Sequence, residues 1–290
     1  MNFKRQNMKL QSVGVVGCGF VGSAVVHGFN LFAKVMVYDR DPKRKVNELE
    51  EVLQCDFVFV CLPTPMESVE GGKCNLEYIE KFFDSLKNYQ VGEKTIFVIK
   101  STVPVGTTMR LSEVHPNLKI VHSPEFLTAR SASLDFITPS RNIVGAEDIA
   151  VGQKVVDLYK ERFPGIATYL TLSMESEFIK YAANCFFATK VMFFNEMRLL
   201  CDKTGLSWDR IMLGVLSDGR IAKSHFQVPG WDGEWGFGGT CFPKDINAMI
   251  NTFDAEGLDP KILKAVWEQN KIVRKDWDWG RSESAVSKKT

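Results

Sequence analysis

The sequence predicts an α/β protein: a doubly wound, parallel-sheet domain followed by an all-helical domain built on one long helix. Three observations carry that expectation. A short β-branched strand runs into Gly17, Gly19 and Gly22 and then into a helical pattern, "SVGVVGCGFVGSAVVHGF". Apolar strand-like segments then alternate with helical ones to about residue 145, as βαβ units on a parallel sheet do. From about Leu172 to Thr204 neither Gly nor Pro interrupts a stretch rich in Ala, Phe, Met, Leu and Glu.

The 290 residues suit about two domains of ordinary size. The expected division is 1–165, then 166–280, with 281–290 ("RSESAVSKKT") a disordered polar tail. With 36 basic against 35 acidic residues, nothing points to nucleic acid or an anionic membrane as partner. "MNFKRQNMKL" has no apolar core, so no signal peptide is expected, and no apolar run approaches the ~20 residues of a membrane span. The seven cysteines, at 18, 55, 61, 74, 185, 201 and 241, lack metal-type spacing. They read as reduced thiols of a cytoplasmic protein, with no metal site.

The glycine motif has the strand before it and the helix after it that a Rossmann-like dinucleotide site needs. Gly17 permits the turn, Gly19 lets backbone approach a pyrophosphate, and Gly22 lets helix and strand pack closely. The helix start offers unpaired N–H groups and a positive dipole end to phosphate. "KVMVYDR" then ends in Asp39, placed to accept from a ribose hydroxyl. Arg40 follows, which leaves NADP open, but the carboxylate favours NAD. "DFVFVCLPTP" is a buried-type strand closed by Pro63 and Pro65; "KTIFVIKSTVPVGTT" is another, with Ser101 and Thr102 at its end and Pro104 placed to open a helix. "LKIVHSPEFL" and "RNIVGA" add two strands. Ligands of such sheets lie beyond the carboxyl ends of the strands, which makes Thr102 and Glu125 site candidates. Turn and capping roles are the alternative.

After a strand-like "IATYLT", the long helix should stop at Gly205 and bury much of its circumference in a core or subunit interface. Lys180 and Asn184, four apart, share one face of it. A buried lysine needs a partner or a job; the alternative is a head group reaching solvent. "SWDRIMLGVLSDGR" is a shorter helix capped by Ser207, and 219–239 is a Gly- and aromatic-rich loop. In "GFGGTCFPKD", Pro243 suits the first turn of a helix, so Cys241 stands just before a helix N-terminus with Lys244 close by. Both features favour thiolate. A dinucleotide site together with an activated cysteine suggests oxidation of an alcohol to an acid in two hydride transfers through a thioester. An inert buried thiol is the alternative.

"GFGGTCFPKD", "EFIKYAANCFFATKVMFFNE", "KSTVPVGTT" and "SPEFL" resemble, in order, signatures of the UDP-glucose/GDP-mannose 6-dehydrogenases, closest to the UDP-glucose 6-dehydrogenases. The resemblance runs from Ser12 to about Asp276. It implies NAD as cofactor, a nucleotide sugar such as UDP-glucose as substrate, and Cys241 as nucleophile. It implies that Lys180 and Asn184 stabilise an oxyanion, that Asp245 activates water or holds Lys180, and that Glu125 and Thr102 handle protons. The cofactor set it gives is Gly17, Gly19, Phe20, Val21, Gly22, Asp39, Arg40, Pro63, Thr64, Ser101, Thr102 and Lys244. The substrate set is Glu125, Phe126, Leu127, Lys180, Asn184, Phe237, Gly238 and Gly239, with Arg220 lent across a homodimer built on the long helix.

Members of the family usually continue into a third, nucleotide-binding-fold domain that completes the UDP site; this sequence is expected to lack it. Ala129 and Arg130 stand where many relatives carry an acidic residue and a glycine, and the loop before Cys241 is long and holds Trp231 and Trp235. Two other readings compete. One is a two-electron hydroxyacid-type dehydrogenase, which needs no thiol; the other is a truncated NAD-binding remnant without turnover.

Overall fold

In the computed structural model, residues 11–128 and 130–287 are described. The first ten residues, Ala129 and the last three residues of the expected tail lie outside them. In chain order the elements are β1 (Ser12–Val16), α1 (Phe20–Phe29), β2 (Lys34–Tyr38), α2 (Leu49–Val52), β3 (Phe57–Val60), β4 (Met66–Ser68) and β5 (Gly71–Cys74). There follow α3 (Glu77–Ser85), β6 (Ile96–Ile99), α4 (Thr107–Val114), β7 (Lys119–His122), α5 (Ala132–Ile137), β8 (Asn142–Gly145), α6 (Ile149–Arg162) and β9 (Thr168–Thr171). The chain ends on α7 (Ser173–Thr204), α8 (Trp208–Val215), α9 (Phe242–Ala255) and α10 (Lys261–Val273), then a short 3-10 turn at Asp278–Arg281.

Two compact units form: Met1–Thr64 with Leu76–Lys180, and Pro65–Asn75 with Tyr181–Thr290. The expected boundary was 165/166; by contacts the division instead falls inside α7, and a short early segment joins the later residues.

Unit 1 is a seven-stranded sheet in the order β2-β1-β3-β6-β7-β8-β9. The first five strands are mutually parallel. β7 and β8 pair antiparallel, and β9 then runs parallel to β8, so the sheet is mostly parallel. Phe57 and Phe59 of β3 pack with Phe29, Val155 and Tyr159 on one face; Val58 and Val60 pack with Leu53, Ile79 and Phe83 on the other. Burial on both faces is why these strands read as unbroken apolar runs. Pro104 does not open α4. Gly106, at φ 91°, is its N-cap, and the Glu177 carboxylate accepts from Gly106 N–H (2.6 Å), Thr108 N–H (2.8 Å) and the Thr108 hydroxyl (2.6 Å).

Unit 2 is helical, as expected of the later residues, and by contacts the early β4–β5 hairpin joins it. Its core gathers Met66, Tyr181, Met192, Phe237, Ile246 and Trp267 with the fully buried Trp279 and Ala285. The tail is correspondingly ordered through residue 287. Met66 N–H donates to Ala285 C=O (2.8 Å), Ser287 N–H donates to Met66 C=O (2.8 Å), and Trp279 Nε1 donates to Val69 C=O (2.9 Å). The polarity of "RSESAVSKKT" hid an apolar Ala285-Val286 pair that completes the core beside Met66. α7 is 32 residues long and ends at Gly205, whose φ of 69° allows the chain to leave the helix.

Candidate active site

In unit 1 the expected cofactor residues lie along the carboxyl ends of the parallel strands. Gly17, at φ 87°, donates its N–H to Tyr38 C=O (2.9 Å); a Cβ there would lie 2.8 Å from the Cys61 carbonyl oxygen. A Cβ on Gly22 would come within 1.9 Å of the Gly17 carbonyl oxygen. Gly19 differs: a Cβ there would meet nothing within 4 Å, so this residue leaves open space at the start of α1. Phe20 and Val21 open that helix. The Asp39 carboxylate follows β2 and is oriented by two backbone donors, Cys18 N–H (2.6 Å) and Asp41 N–H (2.8 Å). Arg40 turns to the Tyr78 ring, 5.2 Å from its centre.

The loops after β3 and β6 are tied by two hydroxyls. Thr64 Oγ1 donates to Thr102 C=O (2.7 Å), and Ser101 Oγ donates to Leu62 C=O (2.6 Å). Thr64, Ser101 and Thr102 are all buried, and Pro63 stiffens the turn between them. After β7 comes Glu125. Its Oε1 accepts from Lys180 Nζ (2.9 Å), its C=O accepts from the same ammonium (2.6 Å), and its Oε2 accepts from Leu127 N–H (2.6 Å). Lys180 is 2 % exposed. This is a buried, hydrogen-bonded ion pair, and removing one partner from such a pair typically costs ~3–5 kcal/mol. Lys180 Nζ also stands 5.4 Å from the centre of the Phe126 ring, on which Arg141 stacks at 4.0 Å.

In unit 2, Cys241 is the N-cap residue of the 14-residue α9, with Pro243 in the first turn. Its Sγ is 3.7 Å from Thr240 Oγ1. Asp245, 1 % exposed, accepts from Lys244 Nζ (2.5 Å) and from Asn184 Nδ2 (2.5 Å). Burial works to lower the Lys244 ammonium, but Asp245 and then Cys241 hold it above the ordinary lysine value. Burial holds four other thiols above the ordinary value. Burial, aided by Asp56, pushes Cys55 up to about 11; burial pushes Cys61 up to about 12; Cys18 and Cys185 are raised for the same first reason. Cys241 is partly exposed and combines a helix N-terminus with an adjacent ammonium.

The glycine loop before Cys241 is clamped by the protein itself. Gly236 N–H donates to Asn195 Oδ1 (2.8 Å); Phe237 N–H donates to Asn270 Oδ1 (2.7 Å) and its C=O accepts from Asn270 Nδ2 (3.0 Å). Gly239 N–H donates to the Asp278 carboxylate (3.0 Å), which also binds Arg274 (3.1 Å). A Cβ on Gly238 would lie 2.3 Å from Arg274 Nη2, so that glycine makes room for an arginine; only Gly239 faces open space. Among the described residues no cluster of three His, Cys, Asp or Glu side chains could hold a metal, and no helix is long and apolar enough to cross a membrane.

Residues 46–163 match the model of the UDP-glucose/GDP-mannose dehydrogenase family, NAD binding domain, and residues 174–272 match that family's central domain. The chain belongs to this family. It is 36 % identical to a UDP-glucose 6-dehydrogenase of Pseudomonas aeruginosa over 232 residues, 76 % of this chain and 49 % of the relative. It is 32 % identical to the UDP-glucose 6-dehydrogenase TuaD of Bacillus subtilis, over 76 % of this chain and 47 % of that one. The chain thus spans about half the length of the curated relatives it matches. Among solved structures, a UDP-glucose dehydrogenase from Pyrobaculum islandicum superposes with a TM-score of 0.80 at 28 % identity, over 93 % of this chain and 70 % of that one. A 3-hydroxyisobutyrate dehydrogenase from Mycobacterium tuberculosis shares the fold, with a TM-score of 0.72 at 16 % identity over 93 % and 96 %.

The family's cofactor is NAD, and the residues here fit it: Gly19 leaves room before the α1 N-terminus, and Asp39 stands oriented at the end of β2. The match to the NAD binding domain begins at residue 46, so the glycine motif rests on its own geometry. Glu125, Phe126, Leu127 and Lys180 come together as expected, although Leu127 N–H is already given to Glu125. Asp245 holds Lys244 and Asn184, while Lys180 is held by Glu125. Phe237 is a core side chain, 4 % exposed, rather than an open wall. Arg220 is exposed and folded onto its own Asp218 (2.6 Å). Trp235 packs against the Phe194, Met212 and Val228 cluster, and Trp231 is 71 % exposed. Asn195, Asn270, Arg274 and Asp278 were not anticipated. No local signal marks them, since each reads as an ordinary polar residue of a helix or turn.

Proposed function

We propose that the protein oxidises the 6-hydroxymethyl group of a nucleotide sugar, of UDP-glucose type, to the carboxylate in two hydride transfers. One observation carries the reading: Cys241, a partly exposed thiol, opens the α9 helix beside Lys244, whose charge it helps to hold. NAD supplies the hydride acceptor for both oxidations. In the first, the 6-hydroxyl gives its proton to a water held by Thr102 and Glu125 and C6 loses a hydride, leaving an aldehyde. The Cys241 thiolate bonds to C6, and the former carbonyl oxygen becomes an oxyanion that Lys180 and Asn184 stabilise by preorganised N–H donors. C6 then loses its remaining hydrogen as hydride, and the adduct becomes a thioester. Water adds to the thioester carbonyl, Glu125 takes a proton from that water, and the C–S bond breaks to return the thiolate. Asp245 orients Asn184 and keeps Lys244 charged beside the sulfur.

Phe186, Phe193 and Leu200, spaced seven apart on α7 and 62 %, 53 % and 61 % exposed, support a homodimer in which Arg220 reaches the neighbouring site. The cytoplasm is the compartment this reading implies. Cys241→Ser tests the thiol directly. The variant is expected to bind NAD as the unaltered chain does, to yield no uronate, and to release at most one NADH per sugar. Full four-electron turnover by the serine variant would remove the thioester from the mechanism.

A further inference from the structure

Lys100, the first residue after β6, is 4 % exposed. Its ammonium donates to Pro124 C=O (3.0 Å), Tyr159 Oη (3.4 Å) and Ser123 Oγ (3.5 Å), and the two hydroxyls bond each other at 2.9 Å. Among the described residues none of its hydrogen bonds goes to a carboxylate. A buried ammonium bonded only to neutral oxygens is costly, and an apolar side chain of similar length would fill the place more cheaply. Behind the same loop lies a cavity of about 280 Å³, walled by Lys100, Pro124, Phe126, Phe136, Arg141 and Tyr159. On that side the Ser123–Leu127 turn is therefore undercut, so the polar bonds from Lys100 add to the packing of Leu127 on the unit 1 core in setting its position.

We propose that Lys100 is a positioning residue: by holding the Pro124 carbonyl and the Ser123 hydroxyl it fixes the turn that presents Glu125 to Lys180. The catalytic consequence rests on the role given to Glu125 above; the positioning itself does not. The charged and titratable groups that act on Lys100 or share its surroundings are Cys61 after β3, Glu125 after β7, Tyr159 of α6, Lys180 of α7, His122 of β7, and Asp135 and Arg141 on the cavity wall. Burial brings the Lys100 ammonium down to about 8. Below that pH it donates to all three oxygens; above it, a neutral amine with two hydrogens releases one of them and the turn loosens.

The test compares Lys100→Met and Lys100→Gln with the unaltered chain. Gln can still donate to Pro124 C=O but cannot titrate. Amide hydrogen exchange at fixed pH should be faster by about tenfold or more in residues 123–128 of Lys100→Met, with β6 and α6 unchanged, and should be partly restored in Lys100→Gln. With nucleotide sugar, kcat should fall while KM for NAD holds, and the loss of kcat above about pH 8 should disappear in both variants. Exchange in 123–128 equal to that of the unaltered chain in both variants overturns the proposal. So does exchange raised throughout unit 1 in both, which would make Lys100 a general stabiliser. If the unaltered chain shows no turnover while the exchange result holds, the role of Glu125 fails and the positioning stands.

Discussion

At the scale of single residues, the three glycines of the first loop separate folding from binding. Gly22 abuts backbone and Gly17 needs a left-handed turn, whereas a Cβ on Gly19 would meet nothing within 4 Å. Gly22→Ala should therefore disrupt unit 1, because its Cβ would fall 1.9 Å from a carbonyl oxygen. Gly19→Ala should leave the Tm within roughly 2 °C of the unaltered chain and weaken NAD binding by about tenfold, since the methyl fills space meant for pyrophosphate. Calorimetry on both variants checks this; equal loss of stability in the two would refute the division. The motif itself was legible because each glycine answers a constraint within one turn of chain. The clamp on Gly236–Gly239 was not, because Asn195, Asn270, Arg274 and Asp278 reach it from distant sequence, and each alone looks like an ordinary helical or turn polar residue.

At the scale of elements, five parallel strands and the long helix could be read directly, since their periodicity and breakers lie within single segments. The β4–β5 hairpin could not. Its strands are three and four residues long, and Gly71 and Gly72 both have positive φ, leaving no alternating pattern to find. Gly71 is required by α9, since a Cβ would meet Asn247 Oδ1 at 2.3 Å, a contact invisible in local sequence. The join of β7 to α7 carries a pH dependence. His122 is fully buried with Nδ1 2.8 Å from Ser176 Oγ, and burial, then Lys100, pulls it down to about 3. A folded value below the unfolded one means the unfolded chain binds the proton first, so stability is lost as pH falls from about 6.5 towards 3. Glu177, raised to about 7 by burial, acts with opposite sign: its contribution is present below 4.5 and lost as pH rises through about 7. The difference between the unaltered chain and His122→Asn isolates the histidine. Denaturant titrations should show that difference changing by a few kcal/mol between pH 6.5 and 4, with the unaltered chain losing more on acidification. Parallel profiles would mean that His122 is charged in the fold.

At the scale of the whole molecule, the sequence pattern identified the family. The order of the glycine motif, the helix carrying Lys180 and Asn184, and the cysteine loop pointed to one family, to which the chain belongs. The compact units divide instead within α7, because helix periodicity gives no sign of where contacts change hands. The apolar stripe of Phe186, Phe193 and Leu200 makes a further prediction. Sedimentation should show a dimer, and Phe193→Glu should reduce it to monomer with unit 2 still folded; a monomeric unaltered chain would contradict the role given to Arg220. The central claim is that one thiol carries C6 through two oxidations. It is met most directly by the NADH formed per UDP-glucose, with sugar limiting and NAD in excess, using the 290-residue chain. Two NADH per sugar is the expected result; one, with the aldehyde as final product, would contradict it.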